Sequence, residues 1–194
     1  MLLIFMAWHK IEVNQKVKRE QREEEKFWER EAAANSVRRK PIDALDYIKI
    51  PTDLPTELLP EHPDIPGIIA TVEGLRGQKI LNLTGYSNTD LKLEYGTANI
   101  TELSAYDDNY TTLVTTLQKW ADLLWDAGYE EEAVKIMEFC VDTGADIGRT
   151  YRLLAKHYLT TLNEAKYNEL LQKAEELRSL NKPHIIESVK ELHY

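Results

Sequence analysis

The sequence has few of the residues from which proteins build disulfides, metal sites or phosphate-binding loops. Among its 194 residues there is one cysteine, Cys140, so neither an intramolecular disulfide nor a cysteine-based metal cluster can form. The eight glycines are scattered, which excludes a glycine-rich phosphate loop, and no GxSxG elbow is present. The five histidines form no HExxH pair. The sequence therefore predicts no catalytic residue, no metal and no cofactor.

Positive charge is also scarce outside the first forty residues. Residues 1–40 contain 10 Lys/Arg and 7 Asp/Glu, whereas residues 41–194 contain 14 and 26, and the whole chain has a net charge of −9. Duplex nucleic acid requires clustered cations, so the acidic body of the protein excludes it as a partner. The apolar fraction of 43% is sufficient for one compact core with appendages. We expect Cys140 to lie in that core.

Long hydrophobic runs are missing as well, and the longest is MLLIFMAW at residues 1–8. Eight helical residues extend about 12 Å, whereas a bilayer core is about 30 Å thick. The run is thus the end of a transmembrane helix that begins upstream, an interfacial anchor, or an apolar cap on the domain. Positive residues beside a membrane segment mark its cytoplasmic side, so the basic residues after the run favour a domain on the cytosolic side of a membrane. These residues are Lys10, Lys16, Lys18, Arg19 and Arg22. A soluble cytoplasmic protein is the alternative.

The chain divides into three segments by composition. Residues 1–40 combine the apolar run with a charged stretch free of Gly and Pro, which predicts a long N-terminal helix that acts as a spacer. Residues 41–66 contain six of the seven prolines together with many apolar residues, and they predict an ordered, extended strap. Residues 67–194 are predicted to form the helical domain. The fold class is all-α.

Between the strap and the last third of the chain, cap residues delimit short helices. Pro66 is expected near the start of one helix. Ser87 or Asn88 caps another that runs to about Tyr95 and is closed by Gly96. The helix that follows is predicted to break or bend near residues 107–109.

The most informative feature is an internal repeat of 34 residues, in windows 114–147 and 148–181. Superposing the windows matches large residues with large ones and small with small: Leu117 with Tyr151, Trp120 with Leu154, Ala121 with Ala155, Leu124 with Tyr158, Met137 with Leu171, and Cys140 with Ala174. Helical hairpins repeated at this period bury their apolar faces by stacking, and the stack forms a groove used for docking. Gly128 is expected to end the first helix in a left-handed conformation.

On these residues, the chain resembles the tetratricopeptide repeat. GYEEEA at residues 128–133 matches the turn between that family's two helices, whereas Leu162 stands where the family has glycine and Tyr167 where it has a small residue. The usual closing proline is replaced by Ala145. Residues 183–193 would form the capping helix. The layout is also similar to small bacterial membrane-anchored proteins with a cytosolic repeat domain, and this resemblance implies no activity.

A basic stripe marks the candidate binding face. Arg149, Arg152 and Lys156 lie at i, i+3 and i+7 and therefore share one helix face. The resemblance implies that this helix lines the concave groove, where a basic stripe would suit an acidic peptide or a C-terminal carboxylate of a protein partner. The alternative is a solvated helix face whose cations pair with nearby acids of the protein itself. Trp125 and Asp122 are further candidate partner-binding residues. The sequence thus predicts a non-catalytic adaptor with no evident small-molecule substrate, whose other contact is the membrane through residues 1–8. The alternative is a structural, oligomer-forming protein whose groove is filled by its own strap.

Overall fold

The computed structural model describes residues 2–193, with the side chains of residue 9 and residues 12–193. Helices follow one another along the chain: α1 (Leu2–Asn35), α2 (Ile65–Leu75), α3 (Asn88–Tyr95), α4 (Ile100–Asp126), α5 (Glu130–Asp142), α6 (Gly148–Thr160), α7 (Glu164–Glu176) and α8 (Lys182–Lys190). Short 3₁₀ turns occupy Thr97–Asn99 and Glu191–His193. No strand occurs in residues 2–193, which confirms the prediction of an all-α protein.

The chain forms two compact units, each made from two stretches of sequence. The first unit comprises residues 1–44 and 86–101, and the second comprises residues 45–85 and 102–194. The predicted segments 1–40, 41–66 and 67–194 instead divide the chain into consecutive pieces. The difference arises because α3 packs against α1, which lies far before it in sequence.

In the first unit, α1 and α3 are joined by charged and polar side chains. Arg30 of α1 pairs with Asp90 at 2.5 Å, and Lys92 donates to the Glu31 carboxylate at 3.2 Å. Thr89 also donates to Glu31, and this hydrogen bond is the main cause that lowers the Glu31 pKa. The N-cap of α3 is Ser87, one of the two residues predicted for that position, and it forms a capping box in which the side chains of Ser87 and Asp90 satisfy each other's backbone N–H groups.

The end of α3 is secured by one buried side chain and one glycine. Asn99 is fully buried, and its Nδ2 donates to the carbonyls of Lys40 and Tyr95, both at 2.7 Å. Gly96 has φ 86°, and a Cβ at this position would overlap the backbone of Arg38. Gly96 closes α3, as predicted, because only a residue without a Cβ fits this conformation and this space.

The second unit contains the paired helices α4–α5 and α6–α7. Turns of three residues join the members of each pair, at 127–129 and 161–163, and α5 and α7 begin and end at positions 34 residues apart. The core of the unit lies between these helices, and its largest fully buried side chains include Trp120, Tyr151, Leu117, Leu124, Met137 and Leu154. Ala121 and Ala155 are also inaccessible, which places small residues where the helices pack closely.

Both hairpin turns contain a residue in the left-handed conformation. Gly128 has φ 87° and Leu162 has φ 56°. The predicted left-handed end at Gly128 is therefore confirmed. Leucine rarely adopts this conformation, because its Cβ approaches the following carbonyl oxygen. The Leu162 side chain is 87% exposed, so no burial compensates for that strain.

Helix α4 corrects one prediction. Of the predicted break or bend near residues 107–109, the break is wrong, because α4 is continuous from Ile100 to Asp126. Asp107 accepts a hydrogen bond from the Leu83 N–H at 3.0 Å, and Asn109 donates to the Lys79 carbonyl at 3.0 Å. Because these side chains bond to the preceding loop, they do not compete with the hydrogen bonds of their own helix.

The proline-rich segment of the second unit, residues 45–64, contains no helix. Ile50 and Leu54 are buried in the core of the unit. Arg76 of α2 donates to the Ile50 carbonyl at 2.9 Å. Lys135 of α5 pairs with Asp53 at 2.6 Å, and Lys119 of α4 pairs with Asp64 at 3.1 Å. The segment is thus held against α2, α4 and α5 of its own unit.

The N-terminal run bears on the predicted membrane anchor. The backbone of α1 begins at Leu2, but the side chains of residues 1–8 lie outside the described part of the structure. Among residues 2–193, none of the helices combines the length and apolar character needed to span a bilayer. Whether residues 1–8 touch a membrane stays a prediction.

A candidate docking groove between α6 and α8

One face of α6 forms the first wall of a groove with a volume of about 630 Å³. Gly148, Arg149, Arg152, Leu153 and Lys156 line it. Their spacing of three and four residues places them along one side of the helix. The structure therefore brings all three residues of the predicted basic stripe into the same groove.

Helix α8 and the turn after it form the opposite wall. Polar residues Asn181, His184 and Ser188 line this side, together with Ile185 and Leu192. Ile185 is 2% exposed and belongs to the core, so it forms part of an apolar floor. Pro183 lies in the first turn of α8, where its missing N–H costs nothing. The groove thus combines an apolar floor with a rim that is mainly basic and polar.

Arg149 is fixed by an ion pair with α4. Its Nε donates to Asp122 at 2.6 Å, and this hydrogen bond is the main cause that raises the Arg149 pKa. Asp122 also accepts from the side-chain amide of Gln118 at 2.9 Å, and the Gln118 Oε1 accepts from the hydroxyl of the buried Thr150. Arg149 therefore has much of its charge satisfied within the protein.

Arg152 and Lys156 differ from Arg149. Both side chains are exposed, and within the described part of the chain neither forms an ion pair or a hydrogen bond. They lie four residues apart, so about 6 Å of helix separates them. At the other end of the groove, Asp146 accepts from Asn181 at 3.2 Å, which links the start of α6 to α8. The two unpaired cations are the groups most available to an anionic partner.

The remaining predicted site residues do not line the groove. Asp122 lies behind Arg149 as its ion-pair partner. Trp125 is half-buried against the core, and its ring meets His157 edge to face at 6.4 Å between centroids. Among the described residues that line the groove, neither Asp122 nor Trp125 is found. The structure therefore unites Arg149, Arg152 and Lys156 and leaves Trp125 outside the groove.

The single thiol lies away from the groove. Cys140 is 1% exposed in α5, which confirms its prediction as a core residue. Burial raises its pKa to about 12, so the thiolate is hardly formed near neutral pH. Cys140 is thus a small apolar packing residue and not a nucleophile.

The contribution of α8 was not predicted from the sequence. The sequence predicts only a capping helix at residues 183–193, yet Asn181, His184 and Ser188, at the start of α8 and within it, are three of the seven polar residues that line the groove. Their spacing of three and four residues was a usable signal for one helix face. The packing of that face beside α6 is a tertiary contact, which local sequence patterns do not encode.

Comparison with known proteins identifies no relative. No family model, curated protein or solved structure matches this chain. Function must therefore be inferred from the geometry and charge of the groove.

Proposed function

We propose that this protein is a non-catalytic interaction adaptor whose second unit is a tetratricopeptide-like helical domain. Its groove between α6 and α8 binds an acidic segment of a protein. The observation that carries this proposal is the pair of unpaired cations, Arg152 and Lys156, on the rim of an open groove with an apolar floor. Grooves of this kind recognise peptides by apolar anchors and use charge for orientation and specificity.

The geometry of the hairpins supports the tetratricopeptide-like interpretation. Helices α5 and α7 are offset by 34 residues at both ends, and the left-handed residues Gly128 and Leu162 have the same offset. The paired small residues Ala121 and Ala155 are both inaccessible. A repeat of one supersecondary unit produces this agreement of helix bounds, turn conformation and packing positions.

The alternative, a structural protein whose strap fills the groove, has less support. It requires the basic stripe to pair with acids of residues 42–66. Arg149 pairs instead with Asp122 of α4, and the acids Asp53 and Asp64 pair with Lys135 and Lys119. None of the described residues lining the groove comes from the proline-rich segment. We therefore favour a groove that is open to a partner.

We also propose that residues 1–8 hold the protein at the cytosolic face of a membrane, on the strength of their apolar character and the basic residues that follow. Flotation of the full chain with liposomes tests this. Replacement of Leu3 and Phe5 by Glu should remove the protein from the lipid fraction. The anchor proposal would be contradicted if the wild type and the variant floated equally, or if the wild type did not float with the liposomes.

Selection from a random peptide library tests the adaptor function. Immobilised full chain should enrich acidic peptides with an apolar residue, and Arg152→Glu/Lys156→Glu should lose that enrichment. The matched control is Lys49→Glu/Lys190→Glu, which makes the same charge change in the second unit at exposed positions that do not line the groove. Retained wild-type enrichment in the first variant would exclude this groove as the binding site. Equal loss in both variants would show a non-specific charge effect.

A further inference from the structure

Helix α1 presents an unusually exposed aromatic pair. Every described side chain from Glu12 to Arg30 is solvent-exposed. Phe27 and Trp28 are 54% and 62% exposed, and their rings contact each other edge to face at 5.3 Å. Helices in proteins gain most of their stability from packing of one face, and adjacent exposed aromatics are typical of interaction sites. This part of α1 therefore has the properties of a segment that binds a partner.

The face that contains Trp28 is acidic. Gln21, Glu24, Glu25, Trp28 and Glu29 line one shallow surface of α1. Elsewhere on the helix, glutamates pair with cations four residues before them, as Lys16 with Glu20 and Arg19 with Glu23. In the described part of the chain, no ion pair involves Glu24, Glu25 or Glu29. The surface thus carries three uncompensated carboxylates around an exposed indole ring.

We infer that the groove between α6 and α8 binds residues 21–29 of α1 from a second copy of this chain. Glu25 and Glu29 lie four residues apart on a helix, as do Arg152 and Lys156, so both pairs span about 6 Å and can align. Trp28 between them meets the apolar part of the groove. The inference rests on the proposed function, because it names the partner of the same groove.

The groove and the face of α1 that contains Trp28 are complementary in charge and in polarity, which is the reason to propose α1 as the segment bound there. The groove offers unpaired cations, apolar Leu153 and Leu192, and the imidazole of His184. The α1 face offers unpaired carboxylates and Trp28, so each surface supplies what the other leaves uncovered. Each copy has one groove and one α1. Each contact joins two different surfaces, so two copies that exchange α1 form a reciprocal, two-fold symmetric dimer, and copies that do not exchange it extend into a chain.

Light scattering on the full chain tests the inference. The wild type should exceed the mass of one chain, with the association weakening as salt rises. The groove variant is Arg152→Glu/Lys156→Glu and the helix variant is Glu25→Lys/Glu29→Lys. In each variant the dissociation constant of the complex should rise at least about tenfold, because two attractions are replaced by repulsions. Circular dichroism should show unchanged helix content, because all four side chains are exposed.

Controls and a mixing experiment make the result specific. Glu12→Lys/Glu20→Lys and Lys49→Glu/Lys190→Glu, which change equal charge away from the two surfaces, should associate like the wild type. The two site variants should associate when mixed, because native α1 of the groove variant meets the native groove of the helix variant. A wild type with the mass of one chain across the micromolar range would overturn the inference, as would mixing without rescue.

The outcome also separates this inference from the proposed function. If the wild type stays a single chain but the peptide library still enriches acidic sequences through Arg152 and Lys156, the groove binds another protein and only the second-copy inference fails. If the library enriches nothing and the copies do not associate, both fail. If copies associate and neither site variant weakens the complex, the inference is overturned and the interface lies elsewhere.

Discussion

The left-handed residue between α6 and α7 predicts that Leu162→Gly stabilises this protein. Leu162 has φ 56° and is 87% exposed, so glycine relieves backbone strain without loss of buried apolar surface. The left-handed conformation costs a non-glycine residue about 1–2 kcal/mol, and the greater entropy of unfolded glycine offsets about 0.5–1 kcal/mol of that gain. The difference between these two ranges is centred on a net stabilisation of about 0.5–1 kcal/mol.

The opposite substitution can be made at Gly128, which occupies the equivalent position of the turn between α4 and α5, 34 residues earlier. It has φ 87°, and a Cβ built there meets no atom within 4 Å, so Gly128→Ala tests the conformation without a clash. We expect it to destabilise the protein by about the amount that Leu162→Gly stabilises it. The control Leu162→Ala removes the exposed side chain, keeps the backbone strain, and should change stability by less than about 0.5 kcal/mol.

Thermal and urea unfolding followed by circular dichroism measure these differences. A net change of 1 kcal/mol shifts the melting temperature by about 2–4 °C for a domain of this size. Leu162→Gly should therefore melt about 1–4 °C higher than the wild type, and Gly128→Ala lower by a similar interval. If Leu162→Gly melts at or below the wild-type temperature, the strain assigned to Leu162 is wrong.

Three further predictions concern packing, burial and pH. Ala155→Trp should overpack the helix contact at a fully buried position and lower stability by about 1–3 kcal/mol or more, and a wild-type melting temperature would refute the repeat register. Asn99→Ala should cost about 1–3 kcal/mol in urea unfolding, because it removes the hydrogen bonds that this fully buried side chain donates to the Lys40 and Tyr95 carbonyls and accepts from the Arg39 Nε, and no loss would contradict that role. The Glu31 pKa lies below its ordinary value of 4.5, so its ionised form stabilises the fold above that pH and the contribution is lost as pH falls through the lowered pKa. The stability gap between wild type and Glu31→Gln should therefore narrow in acid, and a constant gap from pH 7 to pH 3 would refute it.

Local sequence signals predicted the elements that depend on neighbouring residues. Ser87 and Gly96 delimit α3 in the structure because a side-chain cap and a left-handed glycine act within a few residues of the helix. The continuity of α4 could not be predicted in this way. Asp107 and Asn109 are poor helix formers by propensity, and only their hydrogen bonds to residues 79–83 explain why the helix passes through them.

Only the α6 side of the groove could be predicted from the sequence, for a related reason. The spacing of Arg149, Arg152 and Lys156 identifies one helix face from the sequence, and the structure places that face in the groove. The ion pair of Arg149 with Asp122 and the wall supplied by α8 depend on which helices become neighbours. Those contacts decide which of the three cations remain available, and no local pattern specifies them.

The buried thiol of Cys140 makes this chain a convenient reporter of its own unfolding. The thiolate is the form of cysteine that attacks alkylating reagents, and at 1% exposure with a pKa of about 12 the native thiol is neither accessible to them nor ionised. Labelling of the wild-type protein thus counts only molecules in which α5 has opened. A second cysteine introduced at an exposed site would react first, so a fluorophore can be placed on the native protein without removing Cys140.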